Sequence, residues 1–134
     1  MIGTTFNESQ RLSYNNPISL DDAKNQLKKT FEDETEDYIK SFSEAYPDYT
    51  SQDLLSIDWL FRPKSIICAD AIGDRRMANT YMYMFMWKSP VNKGSYHEAE
   101  LKFYFSRLHH SNSDVPNPTE EDFNLADIMR SSST

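Results

Sequence analysis

The sequence is poor in cysteine and in long apolar runs, and each shortage excludes a class of protein. Cys68 is the only cysteine among 134 residues, so neither an intrachain disulfide nor a paired-thiolate metal site is available. The most apolar segment, Tyr81 to Trp87, is too short to span a bilayer, and no basic stretch followed by an apolar run opens the chain. We therefore expect a cytoplasmic protein without a membrane partner.

Positive charge is also scarce. The chain has 14 Lys and Arg residues against 21 Asp and Glu residues, a formal net charge of -7. Nucleic acids and anionic membrane surfaces both reward clustered Lys and Arg, so neither is expected as a partner. A hydrophobic content of 38% with 13% aromatic residues is nevertheless too high for a disordered chain. The length predicts a single domain over residues 1–134, with a flexible tail at residues 131–134.

The signatures of complete active sites are missing. The sequence contains no Gly-x-Ser-x-Gly nucleophile elbow, no Gly-x-Gly-x-x-Gly turn, no phosphate loop and no His-Glu-x-x-His zinc helix. Any catalytic role must therefore rest on single residues in loops.

The periodicity of apolar residues predicts an α/β fold that is mostly helical. Helices are expected to begin near Ser19, Glu34, Ser51, Pro63 and Pro118, where a capping residue or proline precedes an apolar stripe. Residues 79–87 change to a period of two and are apolar on both faces, which predicts a buried strand. The opening residues 1–5 resemble the end of a second strand, so one or two parallel strands are expected.

Two features that could be taken for functional groups are interpreted as core. Met82, Met84 and Met86 alternate along the predicted buried strand, a pattern that indicates packing against helices rather than a metal or cofactor site. Cys68 lies on an apolar helix face and is expected to be a small buried hydrophobic residue.

Two loop residues are candidates for chemistry. His97 follows the loop after the buried strand, and Glu8 follows the turn after the opening strand, so both could lie at the carboxyl edge of one parallel sheet. A carboxylate beside a histidine fixes the imidazole tautomer in acyl transfer and stabilises the imidazolium that forms. From the residues alone, the alternative of a solvated carboxylate and a surface histidine stays open.

The segments that carry these residues resemble type-B carboxylesterases and cholinesterases. Residues 2–9, IGTTFNES, are similar to the family's turn that leads to the triad acid, and residues 94–105, GSYHEAELKFYF, to its histidine loop. The junction at residues 60–63 and the aromatic strand at 81–85 also resemble the family in order and spacing. The resemblance implies Glu8 as triad acid and His97 as triad base. Glu100 is interpreted as a structural rather than a catalytic carboxylate, which bonds loop backbone N–H groups.

The resemblance covers the C-terminal part of an α/β-hydrolase and lacks the part that contains the nucleophile and the oxyanion loop. Three residues depart from the family pattern: Lys102 stands where proline is frequent, Ser106 where glycine is frequent, and Asn7 where an aspartate commonly precedes the acid. These departures affect the two loops but leave both candidate catalytic residues in place.

Two functions follow as hypotheses. The chain is either an esterase subunit that supplies acid and histidine for hydrolysis of a small carboxylic ester, or a non-enzymatic truncated product that acts only as an association module. The resemblance implies no metal and no organic cofactor. In the first case the partner is a complementary N-terminal esterase chain with the serine and oxyanion hole, and the chain alone is inactive. In the second case the chain binds itself or the missing half, so an oligomer is expected in both.

Overall fold

The computed structural model describes residues 1–9, 16–75, 79–91, 94–109 and 114–132. Strands β1 (Ile2–Thr5) and β2 (Met82–Phe85) pair in parallel, with Ile2 opposite Met82 and Thr5 opposite Phe85. The helices are α1 (Leu20–Phe31), α2 (Thr35–Ala45), α3 (Ser51–Ser56), α4 (Arg62–Asp74), α5 (Leu101–Tyr104) and α6 (Glu120–Ser131), with a 3-10 turn at Glu32–Glu34 between α1 and α2. The predicted combination of helices with two parallel strands is confirmed.

Helix boundaries follow from capping side chains. Ser19 caps α1 by accepting a hydrogen bond from the backbone N–H of Asp22 at 3.1 Å, as the sequence predicts. At α3 the cap is Thr50 rather than Ser51, and the helix ends at Ser56, before Leu60 and Phe61, which the apolar pattern places in the same helix.

The carboxylate of Asp58 binds backbone N–H groups at the start of α4. Its Oδ1 accepts from the backbone N–H groups of Leu60 at 3.0 Å and Phe61 at 2.7 Å, and its Oδ2 accepts from that of Arg62 at 2.7 Å. Phe61 and Arg62 are the N-cap and first residue of α4, and their N–H groups are among those that the start of a helix leaves without partners.

The helices and strands enclose two apolar clusters that meet at the sheet. The first lies between β1, α1, α2 and α3, and its buried members are Phe6, Leu27, Ile39, Phe42 and Leu54. The second lies between β2, α5 and α6, and its buried members are Phe85, Ala99, Phe103, Leu108, Val115 and Ala126. Each strand therefore contributes an aromatic residue at its carboxyl end, Phe6 after β1 and Phe85 in β2, to a separate core.

The prediction of a buried β2 is wrong for this chain by itself. Only Phe85 of the strand is buried, while Met82 and Met86 are 40% and 46% exposed. Met84 is half-buried and packs against the first cluster. Alternation of apolar residues shows which side chains share a face of the strand, but here too little of the described chain lies over those faces to cover them.

The prediction that Cys68 is buried is also wrong. Of helix α4 only Ala69 is buried, and Cys68 is exposed. Because α4 contacts β1 along a narrow stripe, its other apolar residues, Ile66, Ile67 and Ile72, are exposed as well. The helix therefore presents an uncovered apolar surface.

The C-terminal helix extends further than the sequence pattern indicates. Ser131 is the last residue of α6 and Ser132 is its cap, although both fall in the predicted tail, and residues 133 and 134 lie outside the described part of the chain. In the described ranges, no helix combines the length and the apolar character needed to cross a membrane.

Helix α5, which the sequence pattern does not predict, explains one of the departures from the resembled family. It ends in a Schellman motif, in which Arg107 N–H donates to the carbonyl of Lys102 at 2.8 Å and Ser106 N–H to that of Phe103 at 3.3 Å. Ser106 occupies the left-handed position of this motif, with φ of 55°. Glycine is the residue that adopts this conformation without strain.

We therefore expect Ser106→Gly to stabilise the chain by about 1 kcal/mol. Urea unfolding followed by circular dichroism measures the change. Ser41→Gly, at an exposed position inside α2, is the matched control and should lower stability by up to about 1 kcal/mol. Equal effects of the two substitutions would contradict the assignment.

Candidate active site

The acid turn follows β1 directly and is held by backbone and side-chain bonds. Phe6 N–H donates to the carbonyl of Phe85 at 2.9 Å, which continues the strand pairing by one residue. The chain then turns, and Thr5 N–H donates to Oε1 of Glu8 at 2.8 Å. This bond leaves Oε2 of Glu8 to face a different partner, and the carboxylate is only 8% exposed.

The histidine turn comprises residues 96–99 and is closed by a 3.0 Å hydrogen bond from Ala99 N–H to the carbonyl of Tyr96. Within it, Glu98 adopts φ of 66°, in the left-handed region. His97 projects from this turn and is 59% exposed. Its ring stacks on Phe61, with centroids 6.1 Å apart and 13° between the planes.

Glu8 and His97 meet at the sheet edge, as the sequence predicts. Oε2 of Glu8 forms a hydrogen bond with Nδ1 of His97. An ionised carboxylate can only accept, so in the neutral imidazole Nδ1 carries the proton and Nε2 keeps its lone pair. The hydrogen bond to Glu8 raises the pKa of His97, against a smaller opposing effect of burial, with Glu98 and Glu100 adding to the rise.

Asn7 links the acid turn to the histidine loop. Its backbone N–H donates to the carbonyl of Ser95 at 3.0 Å, and its side-chain oxygen accepts from Ser95 N–H at 2.8 Å. Its amide group donates to Oδ1 of Asp53 at 3.0 Å and to Oγ of Ser56 at 2.9 Å. Because Asn7 and Asp53 are both fully buried, this network fixes the two loops to each other and to α3.

Comparison with known proteins identifies the type of fold. No protein-family model matches the sequence, and neither does any curated protein. A solved esterase from the anaerobe Clostridium hathewayi, described as able to hydrolyse aliphatic aromatic polyesters, matches with a TM-score of 0.72 and 25% sequence identity. The fold is esterase-like. The match covers 98% of this chain and 26% of that esterase, so the chain spans about a quarter of its length.

Glu100, the third predicted site residue, lies close enough to the pair for its charge to act on His97. Its Oε2 is buried and has no hydrogen-bond partner among the described residues. Burial raises the pKa of Glu100, partly offset by a hydrogen bond with its own backbone amide, and the charge of Glu8 adds to the rise.

Phe61 and the Asn7 network are parts of the site that sequence reasoning missed. Phe61 belongs to the junction at residues 60–63, which the resemblance singles out without giving it a role. A cavity of about 670 Å³ lies between Phe61 and Glu8, with Phe31, Tyr38, Leu55 and Trp59 among its lining residues. In the described part of the chain, no cluster of His, Cys, Asp and Glu has the arrangement of a metal site.

The raised pKa of His97 makes stability depend on pH. A histidine whose folded pKa lies above its ordinary value of 6.5 contributes stability that is complete below that value and is lost as pH rises through the folded pKa. We expect Glu8→Gln to lower the pKa of His97 in a proton NMR titration and to flatten this pH dependence of unfolding. Glu36→Gln, which breaks the exposed ion pair with Lys24, is the control and should leave the titration unchanged.

Proposed function

We propose that the chain supplies the acid and the base of a serine esterase, as the C-terminal part of a type-B carboxylesterase-like α/β-hydrolase. The observation that carries the proposal is the Glu8 carboxylate on Nδ1 of His97, which leaves Nε2 as a base at an exposed position. In this arrangement Nε2 takes the proton of a serine hydroxyl as the serine attacks the ester carbonyl, and later returns it to the leaving alcohol. Glu8 stabilises the imidazolium between these steps.

The serine and the oxyanion hole must come from another polypeptide segment, because the sequence has no nucleophile elbow. We propose a complementary N-terminal esterase chain as this partner. Its docking is supported by uncovered apolar residues, Phe61 and Ile67 on the α4 side and Met82 at the start of β2. Among the described residues the sheet has two strands, and a sheet of that size is marginal by itself, which also favours extension by a partner.

The substrate that fits best is a carboxylic ester with an apolar or aromatic group. The cavity beside Glu8 is lined by aromatic rings, and the structurally similar esterase is described as acting on aliphatic aromatic polyesters. An apolar group of the ester would be desolvated in this cavity while its carbonyl lies near Nε2 of His97.

The test is to co-express the chain with the polypeptide encoded immediately upstream and to measure hydrolysis of a short-chain nitrophenyl ester. We expect turnover by the complex and none above free imidazole by this chain alone. Labelling by a fluorophosphonate should occur on the partner. Absence of a Gly-x-Ser-x-Gly polypeptide upstream, or turnover by the chain alone that survives His97→Ala, would overturn the proposal.

The second candidate function is an association module without catalysis. It is favoured by the same exposed apolar residues, which would pair two copies of the chain if no esterase partner exists. Light scattering of the pure chain and of the co-expressed mixture distinguishes the candidates, because a self-associated chain without turnover supports the module and a mixed complex with turnover supports the esterase.

A further inference from the structure

A cluster of three polar side chains lies behind the histidine turn. Nζ of Lys102 is 2.5 Å from the hydroxyl oxygen of Tyr96 and 2.5 Å from Oδ2 of Asp114. The Tyr96 hydroxyl also forms a hydrogen bond with Oδ2 of Asp114. The three groups thus contact one another in a closed ring, and Nζ of Lys102 is 5.2 Å from the centre of the Tyr96 ring.

The cluster is partly withdrawn from water. The side chains of Lys102 and Asp114 are each 24% exposed, so their attraction is screened less than that of a surface ion pair. Burial, together with the hydrogen bond to Asp114, raises the pKa of the Tyr96 phenol. The phenol therefore keeps its proton and donates it to Asp114, while the Lys102 ammonium donates to both oxygens.

The three residues come from three segments that the second apolar cluster already holds. Lys102 precedes Phe103 in α5, and Asp114 precedes Val115 before α6, and both apolar neighbours are buried. The carbonyl of Asp114 also accepts from Oγ of Ser89, in the loop after β2, at 3.1 Å. Lys102 and Asp114 are therefore anchored in the core, and Tyr96 is the member of the ring that belongs to the histidine turn.

We propose that Lys102 and Tyr96 are positioning residues that aim His97 at Glu8. Tyr96, the residue before His97, is held in two ways. Its carbonyl accepts the hydrogen bond from Ala99 N–H that closes the turn, and its side chain belongs to the ring of contacts. With both restraints the imidazole leaves the turn in one direction, which places Nδ1 on the Glu8 carboxylate. The catalytic meaning of this alignment rests on the proposed function, but the alignment is a property of the chain itself.

The test is an NMR titration of His97 in the 134-residue chain, with its resonance assigned by its loss in His97→Ala. We expect Lys102→Met and Tyr96→Phe each to lower the His97 pKa toward its value in the Glu8→Gln variant, because a misaligned imidazole no longer contacts the Glu8 carboxylate. Lys102→Arg should restore it, since the guanidinium keeps the charge and the donors. Lys24→Met breaks an ion pair between α1 and α2 and is the matched control, which should leave the titration unchanged.

The direction of the shift separates positioning from direct electrostatics. The groups that raise the His97 pKa are the carboxylates Glu8, Glu98 and Glu100, and loss of a distant cation would raise it further rather than lower it. An unchanged or raised His97 pKa in folded Lys102→Met would overturn the proposal. If that variant does not fold, Tyr96→Phe, which removes only the hydroxyl, decides by the same criterion. The titration needs no turnover, so its outcome is independent of whether the assembled complex proves to be an esterase.

Discussion

In the proposed esterase complex, replacing His97 by alanine is expected to lower kcat by about 10⁴-fold or more, with little change in KM. The imidazole is the only group in the proposed triad that moves a proton, so its loss leaves the serine without a base. We expect the substrate still to bind, because the cavity proposed to hold its apolar group is lined by other side chains. The measurement is steady-state hydrolysis of a nitrophenyl ester by purified complexes of equal composition.

The same complex gives a sharper test of Glu8. Glu8→Gln keeps the size of the side chain but offers an amide that can donate to Nδ1, which moves the imidazole proton to Nε2 and removes the base. We expect a loss of roughly 10³-fold to 10⁴-fold in kcat. His109→Ala is the control, because His109 stacks on Phe123 rather than on the site. A loss of less than about tenfold in either triad variant, in a complex that assembles normally, would contradict the assignment.

The helical part of the fold was predictable because its signals are local. Ser19 before an apolar stripe correctly marks the start of α1 and accepts the expected capping bond, and the last helix, predicted to begin near Pro118, begins at Glu120. The contact of Glu8 with His97 was predictable for a different reason. Both residues follow strands that the sequence pattern makes parallel, and the carboxyl ends of parallel strands meet at one edge.

The features that the sequence pattern did not predict depend on contacts between residues far apart in the sequence. Asn7 binds partners 46, 49 and 88 residues away, and no periodicity in the sequence indicates them. The exposure of Met82 and Cys68 has a related cause, because an apolar pattern shows which face a residue occupies but not how much chain covers it. The left-handed Ser106 was visible only as a departure from the resembled family, and the Schellman motif supplies its physical reason.

The Asn7 network leads to the largest stability change that we expect from one substitution. Asn7→Asp keeps the oxygen that accepts from Ser95 N–H but removes the two donors to Asp53 and Ser56. It also places a second carboxylate against the buried Asp53, where neither charge can be hydrated. We expect a loss of about 3 to 5 kcal/mol in the free energy of unfolding, measured by urea denaturation.

Two further variants make this expectation decisive. Asn25→Asp is the same chemical change at an exposed position of α1, and it should alter stability by no more than about 0.5 kcal/mol. Asp53→Asn in the Asn7→Asp background returns an amide donor opposite the new carboxylate, so it should recover part of the loss even though it weakens the capping box with Thr50. The recovery would show that the two side chains interact directly, since a variant that merely damages α3 would add to the loss. If Asn7→Asp costs no more than Asn25→Asp, or if Asp53→Asn only deepens the defect, the two loops are held together by their backbone bonds and not by Asn7.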